Sequence, residues 1–133
     1  MNIKNIAIAI TATCCIGSCQ VKDKYTALDG EWDVVSIENS AIPDSIEAYI
    51  GFDVKKRLIF GYAGCNYITG NIPTGNKEAL FATLASTRKM CPHMTTENTL
   101  IEALAKAHDF EVHDGVLNLL DTKNHTLVSL KRR

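Results

Sequence analysis

The chain has 133 residues, 46% of them apolar, which is the size and make-up of one domain with a real core and excludes a disordered or collagen-like polymer. Fourteen basic against fifteen acidic side chains leave a formal net charge of −1. The basic residues are scattered apart from Lys55-Lys56-Arg57 and the terminal Lys131-Arg132-Arg133, so the basic face that nucleic-acid binding requires is missing and no nucleic acid is expected as a partner.

The N-terminal segment differs from the rest. Lys4 supplies a positive start, Ile6 to Ile16 is an uncharged and mostly apolar run, and Gly17 and Ser18 lead into Cys19. That order of features predicts an export signal. The apolar run is too short for a spanning helix, which needs about 20 residues. Ile16-Gly17-Ser18-Cys19 resembles a bacterial lipobox, which makes Cys19 the predicted lipidated residue in preference to Cys14 or Cys15. Residues 1–18 are then a lipoprotein signal peptide, 19–26 a lipidated N-terminus with a short polar tether, and 27–133 the folded domain, held to a membrane by its acyl chains in the cell envelope.

From Leu28 the chain reads as short strands separated by turn residues. Leu28, Gly30, Trp32 and Val34 alternate with Asp29, Glu31 and Asp33, the period-two pattern of a half-buried strand with Trp32 in the core. Asn39 to Asp44 reads as a loop. Two strands follow, Ile46 to Phe52 and Leu58 to Tyr62, turned around the charged stretch Asp53 to Arg57. Gly64 and Asn66 bracket Cys65 and Gly70 lies just beyond, so positive φ or close strand approach is expected there, with Asn66 bonding its own turn. Pro73 to Lys77 is a turn, and Ala79 to Leu84 reads as a further strand.

One helix is predicted in the run from Thr95 to His108, where Leu100, Ile101, Leu104 and Ala105 recur at helical spacing after Pro92 and the Thr95-Thr96 start. Glu97 falls on the face directed at the core, where a carboxylate needs a partner; Arg88 is the expected one. Phe110 to His113, Val116 to Leu120 and Leu127 to Leu130 complete the strands, the first two joined by an Asp114-Gly115 hairpin signal. About eight antiparallel strands and one helix predict an α+β domain, mainly antiparallel β, as a small barrel, closed or open, with the helix packed on it.

Without the signal segment and with Cys19 lipidated, Cys65 and Cys91 are the only free thiols. Two cysteines in an oxidising envelope are expected to bridge. Two reduced buried thiols, or a redox pair, are the alternatives, although no Cys-x-x-Cys is present.

Leu28-x-Gly30-x-Trp32, Gly61-x-x-Gly64-Cys65-Asn66, Gly70, Thr87-Arg88-x-Met90-Cys91, Glu97 and Leu117-x-Leu119 together resemble the META domain of the HslJ-like heat-shock proteins, across Ala27 to Leu130. The resemblance implies an envelope-located, often lipid-anchored, barrel-like α+β domain, linked in some members to heat shock, drug resistance, secretion or motility. It carries no catalytic residues over to this chain. Its motif positions Trp32, Gly64, Asn66, Arg88 and Glu97 match structural roles. Tyr62, Ala63 and Lys89 depart from the usual pattern.

Met90, Cys91, His93 and Met94 crowd into five residues, a set whose sulfur and imidazole would suit copper or zinc. The alternative is that both methionines pack under the helix and His93 sits in a loop, and no metal is expected. His108, His113 and His125 show no ligand spacing and read as surface residues. No P-loop, nucleophile elbow, dinucleotide fingerprint or His-Glu-x-x-His motif occurs. The expected function is therefore noncatalytic and cofactor-free: binding or stabilising an unidentified envelope protein or other component. A carrier of a small apolar ligand in a barrel cavity is the second reading, and a thiol or metal site at Cys91 and His93 the third.

Overall fold

The computed structural model describes residues 23–75 and 78–133. The predicted signal peptide and Cys19 lie outside the described residues. Among the described residues a 3-10 turn, Lys24–Leu28, precedes nine strands and one helix: β1 (Gly30–Ile37), β2 (Ser40–Ala41), β3 (Tyr49–Asp53), β4 (Leu58–Tyr62), β5 (Tyr67–Asn71), β6 (Ala85–Ser86), α1 (Thr95–Lys106), β7 (Asp109–His113), β8 (Val116–Leu120) and β9 (Thr126–Arg132).

All strand pairings are antiparallel and join one sheet in the order β6-β5-β4-β3-β1-β9-β8-β7, with β2 also on β1. The α+β class and the single packed helix are as expected. The sheet is open, because β6 and β7 are its two ends and do not pair, so a closed barrel does not form.

Strand β1 sits at the centre because its inward residues Trp32, Val34 and Ile37 are all buried. Its alternation breaks at Val35, where the register against β9 shifts between Val34 and Ser36. A bulge of this kind lets one strand keep its apolar residues inward on both sides of the extra residue. Glu38 and Asn39 join β1 to β2 with φ of 47° and 66°, and Asp114 and Gly115 join β7 to β8 with φ of 49° and 75°. Both are two-residue connections with positive φ at each central position, the turn that matches strand twist.

The chain departs from the predicted elements in several places, among them the short β2 inside the predicted loop Asn39 to Asp44 and the unpredicted β6. Ala79 to Leu84 is not a strand but a pair of tight turns, closed by Ala82 N–H to Ala79 and Leu84 N–H to Phe81. Leu80 and Phe81 are buried there, and the Leu80 N–H is bonded to Ala107 at the end of α1. Their apolar run reflects this plug of core, not a ladder. Strand β5 was not anticipated around Gly70, yet Tyr67–Asn71 alternates exposed and buried without a break. Of the two expectations at Gly70, close approach is the one met, since an added Cβ would lie 3.4 Å from the Leu84 Cα.

Helix α1 turns Leu100, Ala103 and Leu104 into the core and contacts β9 and β1. The buried face is rotated slightly from the expected one, since Ala105 is exposed and Ile101 half-buried. Trp32 is fully buried, as predicted, and its indole N–H donates to the Leu28 carbonyl at 2.8 Å.

Candidate functional site

The turn Ala63 to Asn66 between β4 and β5 is where the two sequence motifs meet. Gly64 takes φ of +110°, which an L side chain rarely adopts, and the Ala63 N–H closes the turn on the Asn66 carbonyl at 2.9 Å. Cys65 is bonded to Cys91 with 6.1 Å between their Cα atoms, so the thiol pair is a disulfide. While the bond is intact, neither sulfur is available as a thiolate ligand to a metal. Among the described residues no group of three or more His, Cys, Asp or Glu side chains is placed to hold a metal ion.

Glu97 reaches this turn from the first turn of α1. Its side chain is 95% buried by exposure of only 5%, and its carboxylate accepts from the Cys65 N–H at 2.9 Å, the Asn66 N–H at 2.7 Å and the Asn66 Nδ2 at 2.5 Å. Three donors offset the desolvation of the charge, and the position at a helix N-terminus favours an anion further. The expected Arg88 and Glu97 pair does not form. Arg88 is exposed and makes no ion pair or side-chain hydrogen bond among the described residues, because the adjacent backbone amides already fill the carboxylate.

Contrary to expectation, the Asn66 side chain does not bond its own turn but reaches other segments. Its Oδ1 accepts from Thr87 Oγ1 at 2.9 Å and the Lys89 N–H at 2.6 Å, while its Nδ2 also donates to the Lys89 carbonyl at 3.1 Å. Asn66 thus fastens the Thr87 to Cys91 segment beside the β4–β5 turn, and Glu97 fastens both to the helix. Disulfide, amide and carboxylate form one clamp that ties the β4–β5 turn to two segments more than 20 residues further along the chain.

Against this clamp lies an open cleft of about 850 Å³. It is lined by the loop residues Pro43, Ser45 and Ile46, by Tyr62 and Gly64, and by Cys91, Pro92, Thr95 and Thr96. His93 lines it. Met90 does not pack under the helix: it is 87% exposed, held out by the disulfide at the next residue. His108, His113 and His125 are exposed, as expected. A second depression of about 470 Å³ adjoins the cleft on the outer face of the sheet and is bounded by tyrosines and charged groups that sequence reasoning did not select. Only the strand register places them together.

The topology and the clamp define a disulfide-stapled α+β domain made of one open antiparallel sheet and one helix. The META domain family matches residues 25–133, and the chain belongs to that family. No curated protein matches it significantly. Among solved structures it is similar to a DUF4847-family protein from Bacteroides vulgatus, with 18% identity, a TM-score of 0.56, and coverage of 81% of this chain and 95% of that one. It is also similar to a protein from Burkholderia xenovorans, with 18% identity, a TM-score of 0.60, and coverage of 80% and 83%. At such identity the likeness is one of fold alone.

Proposed function

We propose that this chain is a noncatalytic lipoprotein of the cell envelope, anchored through Cys19 at the outer membrane or its periplasmic face, whose META domain binds and stabilises another envelope component as part of an HslJ-like stress response. The observation that carries this reading is the cleft built on the clamp. Its lining at Gly64 and at Cys91 to Thr96 comes from segments fixed by a disulfide and a buried carboxylate, so that part is preorganised and loses little entropy on binding. The disulfide itself fits an oxidising compartment. The carrier alternative draws no support from the concave side of the sheet, where Trp32, Leu100, Leu104, Leu119 and Leu130 are fully buried against one another.

Two measurements test the reading. Intact mass of the protein recovered from membranes should show acyl chains on Cys19; a free or absent Cys19 without lipid refutes the anchor. A photo-crosslinking residue replacing Ser45 in the cleft should yield a discrete adduct in living cells that the same residue at exposed Lys55 does not. Identical patterns at both positions would refute the cleft as the binding site.

A further inference from the structure

The outer face of the sheet carries a row of three aromatic rings. Tyr49 pairs with Tyr62 across β3 and β4, and Tyr62 with Tyr67 across β4 and β5. Directly opposed residues share one face at the strand spacing of about 4.8 Å, and the Tyr62 and Tyr67 ring centroids are 5.1 Å apart. The core lies on the other side of these strands, where Ile50, Ile59 and Ile68 are buried, so the row serves no packing need there. Tyr67 is 57% exposed.

The rim of this row is polar and carries charges of both signs. The Arg133 guanidinium lies 4.3 Å over the Tyr49 ring and bonds Glu47 at 2.6 Å, with Asp33 at 3.3 Å and Glu31 at 3.7 Å. Lys89 borders the same depression of about 470 Å³. Glu47 and Tyr62 also border the cleft, so the two run together into one elongated groove.

A sugar ring presents a C–H face and an edge of hydroxyls, each of which both donates and accepts. Tyrosine rings suit the face, and phenol, carboxylate, ammonium and guanidinium groups together supply both donors and acceptors for the edge. Two cations stand against three carboxylates, so a polyanion would gain no net attraction. A protein anchor wants a desolvated apolar centre, and charged groups and exposed phenols surround this one. We propose that the groove binds a neutral oligosaccharide chain, with Tyr62 and Tyr67 as the stacking platform and Glu47, Lys89 and Arg133 as partners for hydroxyls. This inference rests on the envelope-binding reading and names the chemistry of the component bound.

The full chain is titrated calorimetrically with neutral hexasaccharides of glucose, N-acetylglucosamine and mannose, and with a uronic-acid hexasaccharide as the polyanionic control. At least one neutral sugar should bind and shift tyrosine ring resonances. Tyr67→Ala should weaken it about tenfold, the loss of one aromatic contact, whereas Tyr67→Phe should keep most of the affinity and both variants should keep the thermal midpoint. Absence of binding by all three neutral sugars at millimolar concentration, preference for the uronate, or unchanged affinity in Tyr67→Ala overturns the proposal. If the sugars fail while the Ser45 adduct proves to be a protein, this inference falls and the envelope-binding reading stands; if no adduct forms either, both fall.

Discussion

Replacing Glu97 is the sharpest test of the clamp. In Glu97→Ala the N–H groups of Cys65 and Asn66 lose their only acceptor inside a buried turn, while Asn66 Nδ2 retains the Lys89 carbonyl. At about 1–3 kcal/mol for each stranded donor, the loss is about 2–6 kcal/mol, a large share of the 5–15 kcal/mol, roughly, that holds a small domain together. Glu97→Gln should fall between. Its amide oxygen can take over both backbone N–H groups, but its NH2 then faces the Asn66 NH2. Turning the Asn66 amide to relieve that contact would break the bonds from Thr87 Oγ1 and the Lys89 N–H. One mismatched polar contact costs about 1–3 kcal/mol. Urea unfolding of the oxidised proteins measures all three, and the order should be wild type, Glu97→Gln, Glu97→Ala with unchanged m-values. Amide exchange at residues 65 and 66 should quicken in the same order. An alanine variant within about 0.5 kcal/mol of wild type, the usual range of an uncoupled surface change, would refute the account of the clamp.

Reduction, or Cys91→Ser, should remove about 3–4 kcal/mol in the chain-entropy account of a 26-residue separation, seen as a lower urea midpoint; wild type indifferent to reductant would contradict it. Gly61→Ala should cost about 1–3 kcal/mol or more, because the new Cβ would sit 2.3 Å from the Tyr49 backbone oxygen, whereas at Gly75 nothing lies within 4 Å and alanine should be neutral by thermal unfolding. Asp121 is held below the ordinary carboxylate value of 3.8, foremost by the His125 backbone N–H and also by that of Lys123. Because its pKa is lowered in the folded chain, its contribution to stability is complete above the unfolded value and is lost as pH falls through the lower folded value. Acid titration of unfolding should therefore show a shallower loss below about pH 4 in Asp121→Asn than in wild type; identical acid limbs would exclude that role.

Strands β1, β4 and β8 were legible because one face of each is buried, which writes a period of two into the chain. The helix was legible for the matching reason at a period near 3.6. Strand β5 was obscured by Gly70, whose small size answers Leu84 across the fold and looks locally like a turn. The Ala79 to Leu84 plug was misread as a strand because burial without periodicity does not distinguish a ladder from a packed turn. The motifs picked out Cys65, Asn66, Cys91 and Glu97, which the fold brings together, but misassigned the partner of Glu97. Arg88 satisfied charge complementarity on paper, while the backbone amides that won are present at every residue and leave no mark in a sequence.

By itself, then, the sequence determined the α+β class, the helix, the central buried tryptophan, the Asp114-Gly115 hairpin turn and the family to which the domain belongs. These are set by local periodicity, by turn chemistry and by a spaced motif, all of which are written along the chain. Tertiary structure alone decided that the sheet stays open between β6 and β7, that Glu97 is held by Cys65 and Asn66, and that Tyr49, Tyr62 and Tyr67 line up beside Glu47 and Arg133. Each of those depends on strand register and on which distant segments touch, and contacts between residues tens of positions apart are fixed by how the core closes, not by any neighbour in sequence.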